Sequence, residues 1–290
     1  MLLLDHCILV DLGLPSMIRS LFNLKQMRYF IHLGFDGSNY NGWQRQKGTR
    51  NTIQEVVERT LTKLFKTEVS AYGCGRTDTG VHASQYVIQI NLDEAPAFDL
   101  KFRLNKNLPD DIAVFDVIEV SQDQHCRYDA VARTYEYFIH WRKDPVLMRH
   151  SAFYDGVTLD FDRMRKAVAL IRESKDFKGL CKQPQSYTNT LCKITDCELF
   201  VNEEQGRMRF TISSDRFLRG MIRICIYFLI EIGSGRVSLD EFAEILDRRK
   251  EWKEKFPSHP NGLFLSRVKY PYLELKESHQ LIKMLRVGLE

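Results

Sequence analysis

The stretch Gly73–Gln85, Gly-Cys-Gly-Arg-Thr-Asp-Thr-Gly-Val-His-Ala-Ser-Gln, constrains this chain more than any other. It follows a short β-prone run ending at Tyr72 and precedes an apolar run from Tyr86 to Leu92, so it predicts a loop between two strands. Its glycines let the backbone turn sharply and approach a ligand closely. Arg76, Asp78 and His82 place a cation, a carboxylate and an imidazole within it. Gly75 and Gly80 have the spacing of a phosphate-binding loop, but Val81 and His82 follow where Lys and then Ser or Thr are needed. The dinucleotide-binding pattern fails too, because Asp78 stands at its third glycine. Any one of these features alone reads as an ordinary surface turn, so only their combination points to chemistry.

A chain of 290 residues, 44% hydrophobic and 11% aromatic, can build a substantial core in one large or two moderate domains. Lys and Arg number 42 against 38 acidic residues, a net charge of +4 that permits a polyanionic partner without demanding one. The cysteines, Cys7, Cys74, Cys126, Cys181, Cys192, Cys197 and Cys225, are odd in number and show neither C-x-x-C pairs nor zinc spacing, which predicts free thiols in a reducing cytoplasm. No apolar run reaches the length of a membrane span; Ile222–Ile232 is interrupted by Arg223 and Glu231. Residues 1–26 lack the basic start of a signal peptide and are expected to be a flexible extension, or to precede a true start at Met27.

Along the chain, Tyr29–Phe35 reads as a strand leading into a turn-rich loop, Asp36–Gln46, that carries Trp43. Thr52 and Glu55 form a capping box for a helix with Ile53, Val56, Val57 and Leu61 on one face. A second helix near Phe98–Asn107 and a strand at Ile112–Val120 complete a first α+β half. Ala132–Ile139 alternates with period two and puts Tyr135 and Tyr137 on one face. Then follow a helix at Phe161–Glu173 capped by Asp160, a long polar loop from Asp176 to about Asn189, and a hairpin of Leu191–Val201 with Arg207–Ser213. The most apolar helix is expected from Phe217 to Gly233, and a Ser238-capped helix runs on into the charged 247–255. A strand at Gly262–Pro271 and an amphipathic helical tail from Glu274 end the chain. Arg223 lies inside the apolar helix, where a guanidinium is costly unless paired, so it requires a partner.

Several of these blocks occur together in one known family. The segments Asp36-Gly37-x-x-Tyr40-x-Gly42-Trp43-Gln44-x-Gln46, Gly75-Arg76-Thr77-Asp78-Thr79-Gly80-Val81-His82, Arg133-x-Tyr135-x-Tyr137, Phe217-Leu218-x-x-Met221-Ile222-Arg223 and Gly262-Leu263-Phe264-Leu265 resemble the ordered motifs of the TruA-type tRNA pseudouridine synthases. The resemblance covers about Met27–Tyr272, with Thr79 and Ile224 departing from the family's usual alanine and asparagine. It implies an α+β pseudouridine synthase fold, in which two halves (27–124 and 125–273) share a largely antiparallel central sheet. Helices pack on that sheet, a cleft separates the halves, and 274–290 is a helical tail.

The resemblance further implies isomerisation of uridine to pseudouridine in the anticodon stem-loop of tRNA by a cytoplasmic homodimer, with no metal or organic cofactor. Asp78 would be the catalytic nucleophile. Arg76 would displace the base, Tyr135 would cover the uracil, and Arg223 would pair with Asp78. Substrate contacts are expected from Tyr135, Leu263, Trp43, Gln46, His82 and Gln85. For Trp43 alone, simple packing on the sheet is an equal reading, and His82 reads as an orienting residue rather than a base. Two other classes stay open: a catalytically silent RNA-binding or tRNA-folding protein, and a carboxylate hydrolase, which would need a second acid or a metal cluster beside Asp78.

Overall fold

The computed structural model describes residues 26–156, 158–248, 250–252, 256–276 and 280–289. The extension expected at 1–26 therefore lies, apart from Gln26, outside the described residues. Nine strands form one sheet whose main path runs β4-β1-β3-β9-β5-β8-β7. The first half supplies β1 (Met27–Phe35), β2 (Tyr72–Gly73), β3 (His82–Leu92) and β4 (Ile112–Val120). The second supplies β5 (Ala132–His140), β6 (Ala152–Phe153), β7 (Ile194–Asn202), β8 (Arg207–Ser214) and β9 (Leu263–Lys269). All pairings are antiparallel except β3 with β9 and β5 with β6. The β3–β9 contact, at His82↔Phe264 and Ala83↔Leu265, joins the two halves.

Six α-helices occur among the described residues: α1 (Ile53–Phe65), α2 (Leu100–Asn107), α3 (Phe161–Glu173), α4 (Met221–Gly233), α5 (Leu239–Leu246) and α6 (Gln280–Arg286). None is long and apolar enough to cross a membrane. The capping residues read from the sequence act as caps. Thr52, Asp160 and Ser238 accept from the backbone N–H of Glu55, Arg163 and Glu241, meeting donors that a helix start would otherwise leave unpaired. In α1 the buried stripe is Ile53, Val56, Val57 and Leu61, each stabilising by about 1.5–3 kcal/mol on burial.

Four expectations need correction. The strand expected from Tyr86 begins at His82, because pairing to Phe35 on one side and Phe264 on the other extends it backwards. The apolar helix starts at Met221, not Phe217; Gly220, at φ +73°, turns the chain just before it. The helix after Ser238 stops at Leu246 instead of running into the charged segment. The tail's helix is confined to Gln280–Arg286, and its Ile282 and Leu285, with Leu289, bury against Phe138 and Phe264 on the sheet. Arg286 fastens this helix by donating to both carboxylate oxygens of Glu136, at 2.9 and 2.5 Å.

Candidate active site

The loop before β3 is held from both halves of the protein. Its start is zipped onto β3, where Cys74 N donates to Val87 O at 2.9 Å and the Tyr86 hydroxyl donates to Gly75 O at 2.5 Å. From β5, Arg133 donates to Cys74 O through Nε (3.1 Å) and a terminal nitrogen (2.7 Å). The loop after β1 braces the other side: Trp43 N donates to Thr77 O at 3.2 Å and Gly80 N to Tyr40 O at 3.2 Å. That second loop is in turn fixed by the start of α1, whose Ile53 and Gln54 N–H groups donate to the carbonyls of Gly42 and Trp43. Asp78 thus sits on backbone held at several points, the condition for holding a reactive group in place.

The partner demanded by Arg223 is Asp78. A guanidinium nitrogen of Arg223 donates to Asp78 Oδ2 at 3.1 Å across 145 residues of sequence, and its Nε donates to Ser258 O at 2.6 Å. The Arg223 side chain is 14% exposed and that of Asp78 41%. The ion pair is therefore anchored at its cationic end and open to solvent at the carboxylate. Tyr135 is buried and meets Phe217 edge-on at 5.1 Å. Its hydroxyl pKa is raised, above all by burial. Arg76 is exposed and forms no ion pair among the described residues. Leu263 is buried and pairs across the sheet with Tyr137, so it lies on the face that Tyr135 also presents.

The remaining expected contacts separate into two kinds. Gln46 is exposed and bonds the Asn41 carbonyl. Trp43, His82 and Gln85, by contrast, are 2%, 0% and 3% exposed. Trp43 stacks at 4.6 Å on Tyr86, so the reading as sheet packing holds. Gln85 Oε1 accepts from Val268 N at 2.8 Å, tying β3 to β9. His82 accepts from Gly37 N at Nδ1 (3.1 Å), faces Asn261 O with Nε2 (3.2 Å), and stacks on Phe264. These three side chains support the loop from beneath and present no surface to a substrate.

Sequence reasoning passed over a cluster behind the loop. Asp36, His82 and His150 place potential metal-ligand atoms within 4.8 Å of one another. Both His82 ring nitrogens are already engaged, and Arg149 Nε pairs with Asp36 Oδ2 at 2.6 Å. The cluster links the two halves of the sheet through Asp36, His82 and His150. Burial alone would raise the Asp36 pKa, but hydrogen bonds from His150 and Ser38, with the His82 imidazole 3.1 Å from Oδ1, outweigh it and hold the carboxyl well below the usual range. Nothing in the sequence linked His150 to Asp36, 114 residues away. The six described cysteines are buried and form no disulfide among the described residues, and Cys7 lies outside them. Burial pushes the Cys74 thiol in the central loop up to about 11, which leaves it a packing residue rather than a nucleophile.

Arg223→Met would leave Ser258 O without its donor and Asp78 without its cation. A loss of about 1–2 kcal/mol is expected, a modest figure because water reaches the carboxylate. Urea unfolding measures it, and an unchanged midpoint would show that the pair does not hold the loop to α4.

The Asp78–Arg223 pair and the exposed Arg76 bring together an accessible carboxylate, an anchored cation and a second cation with no ion pair among the described residues. Known proteins share sequence with most of this chain. A family profile described as tRNA pseudouridine synthase matches residues 33–129 and 173–271, which contain Asp78 and Arg223. A protein of Porphyromonas gingivalis named tRNA pseudouridine synthase A is 34% identical over 253 residues, covering 84% of this chain and 97% of that protein. Its namesake in Bacteroides fragilis is 37% identical over 246 residues, covering 84% and 96%, and one in Streptococcus pneumoniae is 34% identical over 246 residues, covering 84% and 98%. With the profile spanning both halves of the sheet and relatives aligned over nearly their whole length, this chain belongs to the tRNA pseudouridine synthase family.

Proposed function

We propose that the protein isomerises uridines in the anticodon stem-loop of tRNA to pseudouridine, with Asp78 as the catalytic carboxylate. The observation that carries this reading is the Asp78–Arg223 pair, which holds a solvent-accessible carboxylate on a braced loop. In the reaction the N1–C1′ bond of uridine breaks and the uracil turns. C5 then bonds to C1′ and gives up its hydrogen, while N1 regains one, so nothing is consumed. Asp78 either adds to C1′ as the base leaves or stabilises the positive charge that develops there. Arg223 holds the carboxylate in place. Tyr135 offers its ring to the detached uracil and its hydroxyl to the migrating proton. Arg76, exposed and uncommitted, is suited to fill the gap left by a base drawn from its stack, a step that costs a few kcal/mol. Leu263 contributes apolar floor, and Gln46 lies on the rim.

Incubation with an unmodified tRNA transcript followed by pseudouridine mapping tests the proposal. Conversion in the anticodon stem-loop is expected. Conversion confined to another arm would reject the site preference, and none at all would reject the activity. A catalytically silent RNA-binding protein remains the alternative that this experiment separates.

A homodimer in the cytoplasm is proposed with it, since two basic faces on a two-fold axis would grip an elongated tRNA better than one. Sedimentation at micromolar concentration is expected to give about twice the 34.0 kDa of the chain; a single species at chain mass would exclude the dimer.

A further inference from the structure

Alternation along β5 sends its side chains to opposite faces of the sheet. Tyr135 and Tyr137 face the Asp78 side, while Glu136 and Phe138 meet α6 on the other. His140 continues this second series. It lines a cavity of about 680 Å³ bounded by the end of β5, the segment after it, β8 and α6, a volume within the usual range for small-molecule sites.

Three properties of this cavity point to one kind of ligand. His140 is 1% exposed, and its Nδ1 lies 2.9 Å from Ser151 Oγ. Its Nε2 is buried with no partner among the described residues, an arrangement that costs free energy unless something completes it. Three cations, Arg142, Lys143 and Arg207, line the cavity with a single acid, Asp144; Arg142 and Arg207 each also donate to backbone carbonyls, of Glu203 and Glu204 and of Leu285. Leu147, Met284 and Val287 are also in the lining; Met284 and Val287 are 68% and 62% exposed. An anion recognised by cations and an unpaired imidazole, joined to a flat apolar group that covers exposed methyls, describes a nucleotide.

We propose that this cavity binds a nucleotide, with the phosphate against Arg142, Lys143 and Arg207, His140 completing its contacts, and the base over Leu147, Met284 and Val287. The nucleotide is either free or one residue of an RNA chain, two sources with the same chemistry. The site lies across the sheet from Asp78, so it stands whether or not Asp78 is the catalytic group.

The test is NMR of the full-length protein labelled with ¹⁵N at histidine, titrated with uridine 5′-monophosphate, adenosine 5′-monophosphate, a short single-stranded RNA, inorganic phosphate and unphosphorylated uridine. A saturable shift of the His140 nitrogens with a monophosphate or the RNA, absent with uridine, is expected. Lys143→Gln and Met284→Glu both change exposed side chains, and each should weaken that binding about ten-fold, the first by removing a charge contact to the phosphate and the second by replacing the apolar surface under the base with a carboxylate. A free nucleotide is the source if the monophosphates bind at least as tightly as the RNA, and an RNA residue is the source if the RNA binds at least ten-fold tighter. The proposal is overturned if neither moves His140, if both variants bind as wild type does, or if inorganic phosphate binds as tightly as the nucleotides.

Discussion

Asp78→Asn is expected to bind tRNA normally and to form no pseudouridine, with a rate loss of at least roughly 10⁴-fold, the scale reached when the reactive group of a cooperating site is removed. Asparagine keeps the size and can still accept from Arg223. It cannot add to C1′, however, and it carries no charge to balance a developing cation. Binding should persist because affinity for RNA comes mainly from Lys and Arg contacts to phosphates, none of which the change touches. Gel-shift titration beside a single-turnover assay separates the two effects. Conversion at the wild-type rate would remove Asp78 from the mechanism and leave the likeness to the family one of fold alone.

Gly42→Ala is expected to be nearly as damaging without touching a reacting atom. Gly42 has φ +80°, and a Cβ there would lie 2.4 Å from Thr77 O and 3.0 Å from the Asp78 carbonyl carbon. Both are backbone atoms of the loop that carries Asp78, so no side chain can swing aside to relieve the clash. A displacement of about 1 Å at Asp78 would cost on the order of 10² in rate, and the strained backbone adds about 1–3 kcal/mol of instability. Gly48→Ala is the control. Its φ is +91° but no atom stands within 4 Å of the added carbon, so it should lose only the roughly 1 kcal/mol of a left-handed alanine and keep its activity. Equal activities for the two variants would mean that the loop after β1 does not set the position of Asp78.

The two glycines show where sequence reading reaches its limit. Periodicity and caps are local, so α1, α3 and the antiparallel strands could be placed from Thr52, Asp160 and the alternation after Ala132. That Arg223 needs a partner was legible for a different reason: a guanidinium in an apolar helix has few ways to be tolerated; that the partner is Asp78 came from the resemblance to the family's motifs. Burial set by distant chain was not legible. His82, Ser84 and Gln85 read as polar loop residues, yet β9 and β1 close over them from either side. Trp43 sits in a run of amides and glycines that suggests exposure, but Tyr86 supplies the surface it packs on. The C-terminal helix looked like an appendage. It is instead pinned by Arg286 to Glu136, a buried acid in a strand whose alternation gave no sign of needing a cation.

The structure of Asp78→Asn bound to an unmodified tRNA tests the central claim most directly, because the variant should hold its substrate unreacted. The account predicts the target uridine drawn out of its stack, its C1′ within about 3–3.5 Å of the residue 78 side chain as a near-attack geometry requires. The base should lie against Tyr135, with Arg76 in the gap it left. A target uridine still stacked in the stem, or one extruded to a surface remote from Asp78 and Arg223, would contradict it.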